Sequence, residues 1–286
     1  MRFAFLFLDA VDSSLGRLDY ASLSQQALME MVIEGIANKE KICGDVDEPK
    51  DIEEWEGVEI EDGEVVEIRW GDSGITGSLC VEWLPSSVKE VDAFDNGLTG
   101  TLDLASLPTS MERLDLALNA FTGSICLERL PEIMVYLNVS ENACCGSLKL
   151  DSLPDTLAFF YADENKFSGS VDLTRLPAVL ENLLLSINQL TGSVVLTQLP
   201  DGLNSLYLGG NQFNGSLDLT QLPPGLSQLL LNHNAFSGTV DLSHLPRRLK
   251  GLFLSSNKLS GEVFISDELF DIVDVRNTKI IKRRIE

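Results

Sequence analysis

"LGGNQFNGSLDLTQLPPGLSQLL", residues 208–230, is followed at once by "LNHNAFSGTVDLSHLPRRLKGLF", residues 231–253. The two are one phrase with different fillers. The Leu of each Leu-Pro pair stands at 84, 107, 130, 153, 176, 199, 222 and 245, always 23 residues apart. Asn keeps the same interval from Asn96 to Asn257, and Gly follows each Asn by four residues, from Gly100 to Gly261. An earlier unit is weaker: Val65, Ile68, Trp70 and Gly77 fit, while Ser73 replaces the Asn. A period of this length marks stacked units, none of which can bury its apolar edge alone.

Each letter has a physical reason. The Leu-x-Leu core alternates in and out like a strand, so Leu114 and Leu116, or Leu229 and Leu231, face inward together. The turn after the strand leaves backbone groups away from water. A column of Asn, with one acceptor and two donors per residue, can satisfy them. Gly permits the bend that follows, and Pro opens the return leg.

Written out, the unit is LxxLxLxxNxxxGxxxLxxLPxx with substitutions, which resembles the leucine-rich repeat over about residues 65–265. The tail of the unit, "NGSLDLTQLP" at residues 214–223, resembles plant-type and protist forms, and variants of DLTxLP resemble repeats common in kinetoplastid protists. The resemblance implies a β-rich α/β fold: a curved, right-handed solenoid with a parallel β-sheet on its concave face. A second short extended segment is expected after the Gly, with little helix in the repeats. Residues 1–64 are expected to form an N-terminal helical and acidic cap, 65–265 a solenoid of about nine repeats, and 266–286 a C-terminal cap and basic tail.

In "SLSQQALMEMVIEGI", Ser22 with Gln25 three residues later has the form of a capping box. Leu23, Ala27, Leu28, Met31, Val32 and Ile36 then fall mainly on one helical face. This segment and "EWEGVEIEDGEVVEI" resemble the N-terminal cap of plant-type repeat proteins. That cap would place cysteines where Glu53 and Ile60 stand, so its disulfide is not expected. Near the other end, Val273 and Val275 suggest a last alternating strand.

Composition narrows the function. A net charge of −23 disfavours nucleic acid and anionic membranes, and no apolar run approaches the ~20 residues of a bilayer span. The start, "MRFAFLFLDAVDSS", has too short an apolar run and too poor a cleavage site for a secretory leader. Cys43, Cys80, Cys126, Cys144 and Cys145 are an odd count without zinc spacing. Together these favour the cytoplasm, with secretion or the cell surface as the alternative. The sequons at Asn138 and Asn214 matter only in the latter case.

Catalytic material is sparse. His233 and His244 stand apart and are expected on the surface. The thirteen Asp and Glu against three Lys between Lys39 and Glu67 form an acidic face. Asp45, Asp47 and Glu56 imitate calcium-loop spacing, but Lys50 stands where that loop needs Gly and Pro49 where it needs an oxygen ligand. Neither enzyme activity, cofactor nor metal is expected.

The variable letters carry the functional expectation. The outward residue of each strand runs Arg69, Asp92, Asp115, Asn138, Tyr161, Leu184, Tyr207, Leu230, Phe253: polar first, then large and apolar. Two residues earlier lie Tyr136 and Phe159; two later, mostly small residues. A groove for a protein or peptide partner is expected at Tyr136, Phe159, Tyr161, Leu184, Tyr207, Leu230 and Phe253. Asp92, Asp95 and Asp115 would steer a basic segment of that partner. The chain would act as a monomer or within a complex. The alternatives are a secreted or surface recognition and adhesion protein and a structural spacer in a larger assembly.

Overall fold

Three-residue strands such as Phe159–Tyr161 can form only as rungs, because so short a strand has no stability of its own. In the computed structural model, which describes residues 23–284, each rung lies parallel to the next. Tyr161 pairs with Leu184, Leu184 with Tyr207, Tyr207 with Leu230 and Leu230 with Phe253, the same 23-residue step as the sequence period. Eleven strands make this first sheet, ten of them parallel rungs and one, Val58–Glu61, an antiparallel addition at the N-terminal edge. Its inward residues, Phe160, Leu183, Leu206, Leu229 and Leu252, are fully buried, and Leu114, Leu116 and Leu231 join them.

A second, ten-stranded sheet runs along the coil. Most of its strands begin before the repeat Gly; Lys166–Gly169 and Gln212–Gly215 end on it, whereas Gly97–Thr101, Ala120–Ser124 and Lys258–Ile265 run past it. The expected segment after the Gly is therefore displaced. The reason lies in the next rung: Thr99 and Thr122 hydroxyls donate to the carbonyls of Gly77 and Gly100, and Phe121, Phe167, Phe213 and Phe236 point inward before each Gly. Gly169, at φ 82°, then turns the chain in a conformation that suits a residue without Cβ. The return leg holds short 3₁₀ turns at Val81–Trp83, Leu104–Ser106 and Leu150–Ser152.

The Asn column does the work the sequence assigns to it. Asn188 is buried; its Oδ1 accepts from the Phe167 amide at 2.9 Å, and its Nδ2 donates to the carbonyls of Ala162, Leu185 and Ser186. One side chain thus closes four backbone groups drawn from two rungs.

At the N-terminal end, helix α1 spans Gln25–Val32. Ser24 caps it, its Oγ accepting from the Ala27 amide; Ser22, the expected cap, and the stretch Met1–Ser14 lie outside the described residues. Gln25 is used elsewhere, accepting from the Val65 amide at 3.1 Å, while Gln26 accepts from that of Ile52. The buried face is Leu28, Met29, Val32, Ile33 and Ile36, rotated from the expected one because Met29 and Ile33 meet the first coil and Met31 does not. The edge strand Thr76–Ser78 is covered: Ala37 donates to Thr76, Ser78 to Gly35, and Asn38 takes the Thr76 amide. Asp45 closes a local turn by accepting from the amides of Asp47 and Glu48. Glu53 is exposed, and all five cysteines are free thiols.

At the other end, Val273–Asp274 extends the first sheet and Lys279–Arg284 the second. Lys282 and Arg284 each lie 4.3 Å from the centroid of the Phe270 ring, and Lys282 also donates to the carbonyls of Phe270 and Val273. No helix among the described residues is long and apolar enough to cross a membrane.

Candidate functional site: the outer face of the first sheet

Because strand residues alternate, the residue between two buried ones must face out. Tyr161, Leu184, Tyr207, Leu230 and Phe253 do so on five consecutive rungs, and each is partly exposed. At a rung spacing of ~4.8 Å they form a strip roughly 20 Å long. Their flanks cover one another, so the strip is continuous but shallow. The columns beside it are low: Ser205, Gly209, Gly251 and Ser255 are buried. Gly251 has a specific reason, since a Cβ there would come within 2.7 Å of the Phe253 ring and 2.4 Å of Gln228 Oε1.

Tyr136, Phe159 and Tyr161 form an aromatic cluster on adjacent rungs, with Tyr136 and Tyr161 edge-on at 5.5 Å between centroids. Tyr136 is held on two sides. The Arg113 guanidinium lies 3.6 Å over its ring, and its hydroxyl donates to Asp115 Oδ2 at 2.8 Å. Burial first, then that bond to a carboxylate, push the phenol pKa up. Tyr161 Oη accepts from Asn182 Nδ2.

The acidic half differs from expectation at Asp115. That residue is only 9% exposed, its Oδ1 accepting from the Ala117 amide and its Oδ2 from Tyr136 and Asn138. It is a structural tie and offers little charge to a partner. Asp92 remains partly exposed, although its Oδ1 takes the Phe94 amide, and burial raises its pKa. Asp95 is exposed. Arg69 and Arg113, on the same polar rungs, are paired with Glu67 and Glu90 respectively. The sequence carried no sign of the Arg113–Tyr136–Asp115 linkage, since Tyr136 sits 21 and 23 residues from its two partners.

Asp163, at the edge of the strip after Tyr161, has its pKa pushed up to about 6. Burial is the main cause; its own backbone amide opposes it, and Glu164 and Glu141 add to it. His233 and His244 are both exposed, His233 at φ 54° and His244 beside the Ser243 hydroxyl.

No protein-family model matches the chain, and no curated protein sequence does either. Its coordinates are similar to solved structures. One is the leucine-rich repeat ectodomain of the plant membrane receptor kinase GASSHO1/SCHENGEN3 from Arabidopsis thaliana, in complex with CASPARIAN STRIP INTEGRITY FACTOR 2. It matches at a TM-score of 0.62 and 20% identity, over 90% of this chain and 36% of that one. A plant ice-binding protein matches at 0.62 and 19%, over 90% of this chain and 95% of that one. A TDR receptor matches at 0.52 and 22%, over 76% and 42%. The chain thus spans less than half the length of either receptor structure. What these likenesses share with the rungs, the Asn column and the paired sheets is the fold: the chain is a leucine-rich repeat solenoid.

Proposed function

We infer that the chain is a non-enzymatic binding module whose protein or peptide partner lies along the first sheet, on the side that the repeat fold turns toward its hollow. The observation that carries this is the register of Tyr161, Leu184, Tyr207, Leu230 and Phe253 on one outward column. Apolar side chains can also serve a sheet by cross-strand packing alone, worth about 0.2–1 kcal/mol per pair. Five successive large apolar residues, each partly exposed beside buried glycines and serines, offer one row of apolar surface that a partner would cover. The similar ectodomain held in complex with CASPARIAN STRIP INTEGRITY FACTOR 2 supports a recognition role for this architecture. Asp92 and Asp95 would face a basic part of the partner.

The test is capture from the native extract by wild-type chain and by Tyr161→Ser/Tyr207→Ser. The double variant is expected to lose the partner by about tenfold or more, and wild-type association to quicken as salt is lowered. Capture unchanged by both substitutions counts against the inference. A surface or secreted location is the second reading, favoured by the likeness to ectodomains of membrane receptors. Five unbridged cysteines favour a reducing compartment instead, and thiol titration of native protein separates the two.

A further inference from the structure

The chain carries 21 Lys and Arg against 44 Asp and Glu, so a cation finds a carboxylate almost anywhere on it. Most do. Lys39, Arg69, Lys89, Arg113, Lys149, Arg175, Arg276, Arg283 and Arg284 all have carboxylate partners, and Lys41 and Lys282 donate to backbone carbonyls. Arg247, Arg248 and Lys250 are exposed, and among the described residues their side chains have neither ion pair nor hydrogen bond. Other unpaired cations, such as Arg129, Lys166 and Lys258, stand singly.

The three line one cleft of about 450 Å³ with Asn204 and Ser227. Asn204, Ser227 and Lys250 are successive rungs of one column: the Lys250 amide donates to the Ser227 carbonyl and the Ser227 amide to that of Asn204, both at 2.8 Å. At ~4.8 Å per rung this ladder is roughly 10 Å long, the span of about three residues of extended chain. It runs beside the apolar strip, with Ser227 and Lys250 each three residues before Leu230 and Phe253. Glu181 and Asp201 line the neighbouring cleft with Arg248 and bound the patch on that side.

We propose that Arg247, Arg248 and Lys250 dock an extended Asp/Glu-bearing segment of the same partner whose apolar residues fill the strip. The proposal rests on the binding role inferred above and adds a direction to it. A partner with an acidic stretch at this end and a basic one toward Asp92 and Asp95 fits in one orientation; reversed, it sets like charges together at both ends. Carboxylates spread along a chain suit three cations on long exposed stems. One compact phosphate needs donors that converge, and here none is buried.

The probe is fluorescein-labelled hexaglutamate, read by anisotropy at low ionic strength against the full chain. Binding is expected, and Arg247→Glu/Arg248→Glu/Lys250→Glu weakens it about tenfold or more. The three positions are exposed, and an unchanged melting temperature confirms that the variant folds. Tyr161→Ser/Tyr207→Ser leaves hexaglutamate binding intact, so failure of the strip and failure of this patch are read separately. Absence of binding at millimolar peptide, or affinity indifferent to the charge reversal, overturns the proposal. So does displacement by inorganic phosphate more efficient than by chloride at equal ionic strength, which marks a compact anion site instead.

Discussion

Ile187 sits at φ 54°, in the left-handed region that β-branched side chains rarely occupy, and is 56% exposed. Every rung needs this conformation just before its Asn; Gly210 supplies it without strain at φ 65°, whereas Leu118, Glu141 and Glu164 supply it as Ile187 does. Ile187→Asn should therefore stabilise the chain by about 1 kcal/mol, seen as a melting temperature higher by a few degrees; a lower melting point contradicts the strain. Asp163 makes a second residue-scale case. Its carboxyl holds its proton more tightly folded than unfolded, up to about pH 6. Its contribution to stability is thus lost as pH rises from about 4 through 6. Acidification from neutral pH to about 5 should stabilise wild type more than Asp163→Asn, and coincident pH profiles of melting for the two would refute the burial assigned to this carboxyl.

At the scale of the element, the rung is held by its Asn more than by its strand. Asn188→Ala orphans the Phe167 amide and the Ala162 carbonyl in a buried site, and should cost about 3 kcal/mol or more by denaturant unfolding. A loss below about 1 kcal/mol would mean that water replaces the amide. Much of this was legible. The period set the register, the Leu-x-Leu alternation set which side chains face in, and the Asn column was readable because each Asn acts at one fixed distance along the chain. The second sheet was misplaced, since its strands are defined by bonds to the preceding unit and carry no alternation long enough to see. The cap of α1 moved to Ser24 for a related reason: Gln25 found a tertiary partner in Val65 that no local motif announces. Asp115 was read as a free charge because its partner, Tyr136, lies a whole coil away.

For the whole molecule, the two ends are closed by different means. Gly35, Ala37 and Asn38, just after helix α1, cover the first edge of the second sheet, while Phe270, with Lys282 and Arg284 against its ring, closes the last coil. Between them the outer face of the first sheet changes from charged and internally tied to apolar. Which cations on that face lack partners is a property of the folded surface alone, so the sequence could suggest the apolar strip but not the basic patch beside it. The inferred binding role requires a partner to lie on that face. A photo-crosslinking residue placed singly at Leu184, Leu230 or, on the second sheet, Thr191 tests this in the source cell. Covalent adducts of one and the same protein from positions 184 and 230, with none from 191, are predicted. Adducts from 191 alone, or equally from both sheets, would contradict it.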